Sequence, residues 1–169
     1  MLMVCWLTEV DEVINFCADI VSGKSIGGIV LGGNVSEYLE EMYSGYHVAV
    51  KEYHLPDGEA RFAYCLDETL TVVTLPAGSI FSIGCNGKYR GRYNGCIYPG
   101  QTMRDVIGVT ERQRIFNGCL VINDDFGLSF VLPSPYDEIA DSIVDIPLDL
   151  VLEEIYVSDF SAWNPNRRT

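Results

Sequence analysis

Hydrophobic positions recur at two different periods along this chain, and the change falls near residue 46. Before it, Val10, Val13, Ile14, Cys17, Ala18 and Val21 lie at helical spacing behind Thr8 and Asp11, a capping-box pattern with Asp in place of Glu. This predicts a helix over about residues 9–22, stopped by Gly23, with Glu9, Asp11, Glu12 and Asp19 on its solvent side. The glycine-rich stretch Gly27–Gly33 then leads to Ser36, the expected cap of a short helix carrying Leu39, Met42 and Tyr43 on one face and ending at Gly45.

After residue 46 the side chains alternate. Tyr46, Val48 and Val50 share one strand face and His47, Ala49 and Lys51 the other. Pro56-Asp57-Gly58 turns the chain, and the runs Ala60–Leu66, Thr69–Leu75 and Ser79–Cys85 continue as an antiparallel meander. Thr102 with Asp105 predicts a capped helix burying Val106 and Ile107, and Thr110 with Gln113 repeats the capping pattern ahead of Ile115 and Phe116. Cys119–Asn123 and Leu128–Leu132 flank Asp124-Asp125-Phe126-Gly127 and read as a hairpin. Ser134-Pro135-Tyr136-Asp137 starts a further helix that Pro147 ends, and Leu150–Val157 forms a closing strand.

The expected fold is α+β: a single domain over residues 1–160, with a helical part at 1–45 and a sheet-rich part at 46–160. Several short helices flank its antiparallel sheet, and residues 161–169 form a polar tail. A chain of 169 residues, 48% of them hydrophobic, has enough apolar surface to fold without metal or disulfide staples, and no cofactor is expected. The six cysteines are scattered and form no CxxC pair, so buried, reduced thiols are expected, with Cys17 on the helix stripe and Cys65 and Cys119 inside strands. No apolar run approaches the roughly 20 residues of a membrane helix. Met1–Leu7 lacks a basic leader and meets Glu9, Asp11 and Glu12 at once, so a mature, cytoplasmic protein is expected, without membrane contact.

Charge narrows the function classes. The net charge of −13 disfavours nonspecific DNA or anionic-membrane binding and favours cationic partners. It is unevenly spread: residues 1–75 carry 3 cations and 12 acids, residues 76–118 carry 6 and 2, and residues 119–169 carry 2 and 10. The middle segment holds Lys88-Tyr89-Arg90-Gly91-Arg92-Tyr93, a basic and aromatic alternation of the kind that grips RNA by charge and stacking. The acidic flanks oppose direct nucleic-acid binding, so an internal or partner-facing basic patch is expected.

The familiar catalytic patterns fail on spacing. Gly23-Lys24-Ser25 is like the end of a P-loop, but the glycine needed five positions before Gly23 is Ala18, and Gly27–Gly33 is not GxGxxG. His47 and His54 stand an odd number of residues apart, which places them on opposite faces of one strand and prevents a shared metal. No GxSxG elbow is present. Asp124 and Asp125 match a tight turn, while Asp137, Glu138 and Asp141 suit the first turns of a helix, where negative charge complements the dipole. Catalytic residues and metal ligands are not expected.

Residues 79–160 resemble bacterial immunity proteins of contact-dependent growth inhibition and related polymorphic toxin systems. The resemblance lies in Tyr98-Pro99-Gly100-Gln101-Thr102-Met103-Arg104-Asp105-Val106-Ile107, a glycine turn into a short helix. It continues through the hairpin strands, Pro135-Tyr136-Asp137-Glu138 and the apolar strand ending near Tyr156-Val157. It implies a cytosolic protein without catalytic activity that acts as an antitoxin, binding one cognate toxin domain, often a basic nuclease, and occluding its active site or substrate surface. An acidic inhibitor fits a cationic nuclease independently, through steering and paired charges. Asp124, Asp125, Asp137, Glu138 and Asp141 are the candidate toxin contacts, with Tyr89, Tyr93, Tyr98 and Tyr136 as candidate aromatic anchors. Two other readings stay open: a regulatory or scaffold module using a sheet edge or acidic face, and an enzyme or small-ligand carrier built on the glycine stretch and His47 or His54.

Overall fold

Period-two alternation translates directly into strands. The computed structural model describes residues 12–167. A ribbon of β1 (Ser25–Ile26) and β2 (Ile29–Val30) precedes a 3-10 turn at Val35–Glu37 and helix α1 (Leu39–Gly45). The meander follows as β3 (Val48–His54), β4 (Ala60–Leu66), β5 (Leu70–Thr74) and β6 (Ile80–Cys85). After β7 (Gln101–Thr102) and α2 (Met103–Val109) come β8 (Gln113–Phe116), β9 (Cys119–Ile122) and β10 (Leu128–Val131). The chain ends through α3 (Tyr136–Ile139), a 3-10 turn at Ile143–Asp145, β11 (Val151–Leu152), β12 (Glu154–Val157) and a 3-10 turn at Ser161–Trp163.

Eight strands form the main antiparallel sheet in the order β3-β4-β5-β6-β12-β10-β9-β8, and β7 pairs separately with β11. The fold is therefore the expected α+β arrangement. Register places Leu66, Leu70, Val72, Ile83, Cys85, Val157, Ile155, Leu128, Phe130 and Leu120 on one face, all of them buried. Against that face pack Ile14, Ile20, Ile26, Ile29, Val35 and Met42 from the N-terminal part, and Ile97, Met103, Val106, Leu132, Ile146 and Leu152 from the two long connections. On the opposite face Arg61, Val73 and Ser82 are buried on β4–β6, and an aromatic cluster covers the other end. Phe116 stacks on Trp163 (5.8 Å) and Trp163 on Phe160 (4.7 Å), on the side that carries the fully buried Val121. Residues 161–163 thus dock on the sheet and do not belong to the expected tail.

The N-terminal helix is the main correction. Residues 12–22 form no helix, and residues 9–11 lie outside the described residues; helical structure in the supposed helical part is confined to Val35–Glu37 and α1. Other elements take the backbone groups that a helix would pair internally. Val13 and Ile14 donate their N–H groups to the Glu41 carboxylate (2.5 and 2.7 Å), Asn15 N–H bonds to the Gly27 carbonyl (3.0 Å), and Ile20 N–H to the Arg92 carbonyl (2.9 Å). The Phe16 carbonyl accepts from Arg90 N–H (2.9 Å), and the Ala18 carbonyl from the Tyr89 hydroxyl (2.5 Å). Cys17 is consequently exposed, not buried on a stripe.

The second capping pattern also resolves differently. Gln113 Nε2 does donate to Thr110 Oγ1 (2.7 Å), but Thr110 follows the C-terminus of α2 and Gln113 opens β8. Asn117 (φ 47°) and Gly118 (φ 76°) then make the two-residue turn that pairs Phe116 with Cys119. The capping box at Thr102 and Asp105 forms as expected.

Gly91 seals the N-terminal segment onto this frame, because a Cβ there would overlap the Ala18 carbonyl oxygen and the Tyr89 ring. Gly91→Ala should lose stability at the upper end of the about 1–3 kcal/mol that overpacking costs. Gly95→Ala, in open space but at φ +73°, should lose only about 1 kcal/mol. Urea unfolding monitored by tryptophan fluorescence gives both values, and a Gly91 variant as stable as the Gly95 variant contradicts the packing argument.

Candidate partner-binding surface

Two long connections leave the sheet and return to it, and the polar chemistry concentrates there. Residues 86–112 run from β6 to β8, and residues 132–153 from β10 to β12. They lie against each other: Gly100 N–H bonds to the Leu152 carbonyl (2.7 Å), Met103 N–H to that of Leu150 (2.8 Å) and Arg104 N–H to that of Leu148 (2.9 Å).

The five expected contact residues fall at opposite ends of the β8–β9–β10 hairpins. Asp124 and Asp125 occupy the β9–β10 turn, while Asp137 lies beside the β8–β9 turn, its carbonyl oxygen 2.6 Å from where a Gly118 Cβ would stand. The first two are committed inside the molecule. Asp124 pairs with Arg112 Nη1 (2.6 Å) and Arg114 Nε (3.0 Å), which engages two of the six cations of the basic segment with one carboxylate. Asp125 accepts from the Ser22 hydroxyl, from the Tyr93 hydroxyl (2.5 Å) and from Gly127 N–H (3.1 Å). This one carboxylate ties the N-terminal segment, the first long connection at Tyr93 and the hairpin turn together, so it is structural. Burial first, then the Asp125 hydrogen bond, pushes the Tyr93 hydroxyl up to about 12.

Asp137, Glu138 and Asp141 are exposed, and they belong to a larger surface. From Arg114 to Arg167 the sequence contains no Lys or Arg, and the connection 132–153 carries Asp137, Glu138, Asp141, Asp145, Asp149 and Glu153. The same connection presents four large aliphatic side chains to solvent: Ile139 (61% exposed), Val144 (85%), Leu148 (44%) and Val151 (37%). Its backbone is nonetheless fixed. Asp145 caps it by accepting from Asp141 and Ser142 N–H (3.1 and 3.2 Å), and Ile146 is buried between the exposed positions. Sequence reasoning missed these aliphatic residues because it assigned such residue types to the core. The one available signal was the run Ile143-Val144-Asp145-Ile146-Pro147-Leu148, too apolar for a solvated helix face and ended by proline.

The tyrosines proposed as anchors mostly face inward. Tyr89 is buried with its hydroxyl shared between Gly27 N–H (2.9 Å) and the Ala18 carbonyl (2.5 Å); burial raises its ionisation well above the ordinary range, and the bond from Gly27 N–H partly opposes that rise. Tyr98 and Tyr136 are half-buried. His47 and His54 are exposed, and His54 meets only Glu52 (3.8 Å). Among the described residues no group of three or more His, Cys, Asp or Glu side chains is placed to hold a metal ion. No helix among them is long and apolar enough to cross a membrane. Cys85 is buried, and desolvation pushes its thiol up to about 12. No protein-family model, curated protein or solved structure matches the chain.

Tyr93 gives the fold an alkaline limit. Its folded value of about 12 exceeds the ordinary 10.0, so its contribution is complete below pH 10 and lost as pH rises towards 12. The urea midpoint should fall over that window, and fall less steeply in Tyr93→Phe. Asp125→Ala, which strands two hydroxyls, should cost about 2–4 kcal/mol at pH 7; a loss below about 0.5 kcal/mol contradicts the tie assigned to this carboxylate.

Proposed function

We propose that the protein is an immunity protein: it binds a cationic toxin domain, a nuclease by class, and neutralises it by covering its active or substrate-binding surface. The observation that carries this reading is the connection 132–153, where four exposed aliphatic side chains lie among six acids and no base. Tight interfaces need this combination. Apolar anchors that become buried contribute about 1.5–3 kcal/mol each, and the surrounding charges speed encounter and reject wrong partners. Guarding a cell against its own toxin calls for nanomolar binding, about −12 kcal/mol, which charges alone do not supply. A nuclease surface shaped for phosphate is cationic and matches this acidic connection in sign. The resemblance of residues 79–160 to immunity proteins points the same way.

The test pairs the chain with the nuclease domain encoded beside it. Co-expression should restore growth, and the purified pair should associate more slowly as ionic strength rises. Val144→Asp and Leu148→Asp should each weaken the complex at least about tenfold. Their urea midpoints should stay close to that of the parent, since Val144 is 85% exposed. A toxin that remains fully active with the parent protein present, or binding untouched by both substitutions, refutes the assignment of this surface.

A further inference from the structure

Part of the basic segment is paired with acids, but Arg90 and Arg92 meet no carboxylate among the described residues. Residues 88–93 alternate strictly: Tyr89 and Gly91 are buried, while Lys88, Arg90 and Arg92 are exposed on the other side. Lys88 stands in the turn closed by Tyr89 N–H on the Asn86 carbonyl (2.9 Å), and Arg90 and Arg92 follow on one side of the chain. The stretch is held rigidly, since Arg90 N–H bonds to the Phe16 carbonyl and the Arg92 carbonyl accepts from Ile20 N–H, both at 2.9 Å. Among the described residues Lys88 meets Glu68 (3.6 Å), whereas no carboxylate lies within ion-pair distance of Arg90 or Arg92. Lys24, Lys51 and Arg104 also lack an ion pair among the described residues, but Arg90 and Arg92 stand two positions apart and share one hollow.

Both line one hollow of about 280 Å3, walled by Tyr98 and floored by Gly87 and Gly100. The Arg92 guanidinium lies over the Tyr98 ring at 4.6 Å, which fixes its plane while leaving its N–H edge available. Gly87 and Gly100 lie in ordinary van der Waals contact, with the Glu153 carboxylate 3.1 Å from the Gly87 Cβ position. Beyond that contact the surface changes sign: the neighbouring hollow is lined by Glu153 and Glu154 together with Lys88.

We propose that the Arg90–Arg92 hollow binds a small phosphate dianion, either inorganic phosphate or the phosphate of a nucleoside monophosphate. Two guanidinium-bearing side chains on one hollow supply the planar, charge-assisted donors that phosphate oxygens favour. The volume lies just under the about 300–1,000 Å3 of sites for larger ligands. The carboxylates beyond Gly87 block the path that a polyanion would follow, so the site takes a single group and not a nucleic-acid strand. This inference is independent of the toxin reading.

Titrating the 15N-labelled full chain with sodium phosphate, and separately with adenosine monophosphate at constant ionic strength, tests it. Saturable shifts should be confined to the Gly87 and Gly100 amides and the Arg90 and Arg92 side chains. Arg90→Ala and Arg92→Ala should each weaken binding at least about tenfold. Arg92→Lys, which keeps the charge but not the fork, should fall between Arg92→Ala and the parent, and Lys51→Ala should match the parent. Tighter binding of the monophosphate identifies a nucleoside-borne source, and equal affinities identify free phosphate. Absence of saturation, shifts that extend equally to Lys24, Lys51 and Arg104, or stronger binding of oligouridylates with increasing length would each overturn the proposal.

Discussion

Four residues hold the two halves of this sheet together. β12, Glu154–Val157, pairs on one side with β6 and on the other with β10, and among the described residues no other strand joins the β3–β6 meander to the β8–β10 hairpins within the sheet. Its inward side chains Ile155 and Val157 are fully buried, each facing a core residue on both neighbours: Cys85 and Phe130 for Ile155, Ile83 and Leu128 for Val157. On the outer face Tyr156 lies over Gly84, whose missing side chain leaves room for the ring, and desolvation there lifts the phenol to about 12. A late strand in the middle of a sheet cannot form until both halves are present. The fold is therefore cooperative across its whole length, with non-local pairing at its centre.

That constraint decides which residues are left to the surface. To leave β6 and β10 and reach their next strands, the chain makes two long connections, and both press against the same core before β12 closes the gap. They pair with each other through β7 and β11, so each stiffens the other. The sheet is consumed by internal packing, whereas the connections need only a few buried residues each, Met103 and Val106 in one and Ile146 and Leu152 in the other. The remaining positions are released from the core and carry the acids, the exposed aliphatics and the arginine row. Recognition on a rigid frame costs little ordering on binding, which favours tight association by a small protein.

How much of this was legible follows from which interactions are local. β4 was delimited to the residue because alternation and the Pro56-Asp57-Gly58 turn act within a few positions, and the Thr102 box closes over three residues. Residues 12–22 misled because their hydrophobic spacing is helical, yet Val13 and Val21 are exposed and the backbone bonds to Glu41, Gly27 and Arg92. Those partners are distant in sequence. The Asn117-Gly118 turn was a readable hairpin signal, overlooked in favour of a capping pattern whose side chains do meet, but outside a helix. The acids were visible; their use was not. Asp124 and Asp125 are distinguished from Asp137 and Glu138 only by the arginines, the serine and the tyrosine that the fold delivers to them.

The charge pattern has the same logic at the scale of the molecule. Asp124 takes two arginines out of the basic segment at the start of β8, where the chain must pack as an edge strand, and leaves Arg90 and Arg92 facing outward on the first connection. The second connection keeps its acids without a compensating base. Opposite charges on two paired connections would ordinarily cross-neutralise, and they do meet here: the Glu153 carboxylate of the second connection lies 3.1 Å from the Gly87 Cβ position on the first. Yet no carboxylate among the described residues reaches ion-pair distance of Arg90 or Arg92. One small surface therefore presents an anionic, aliphatic face beside a compact cationic pocket.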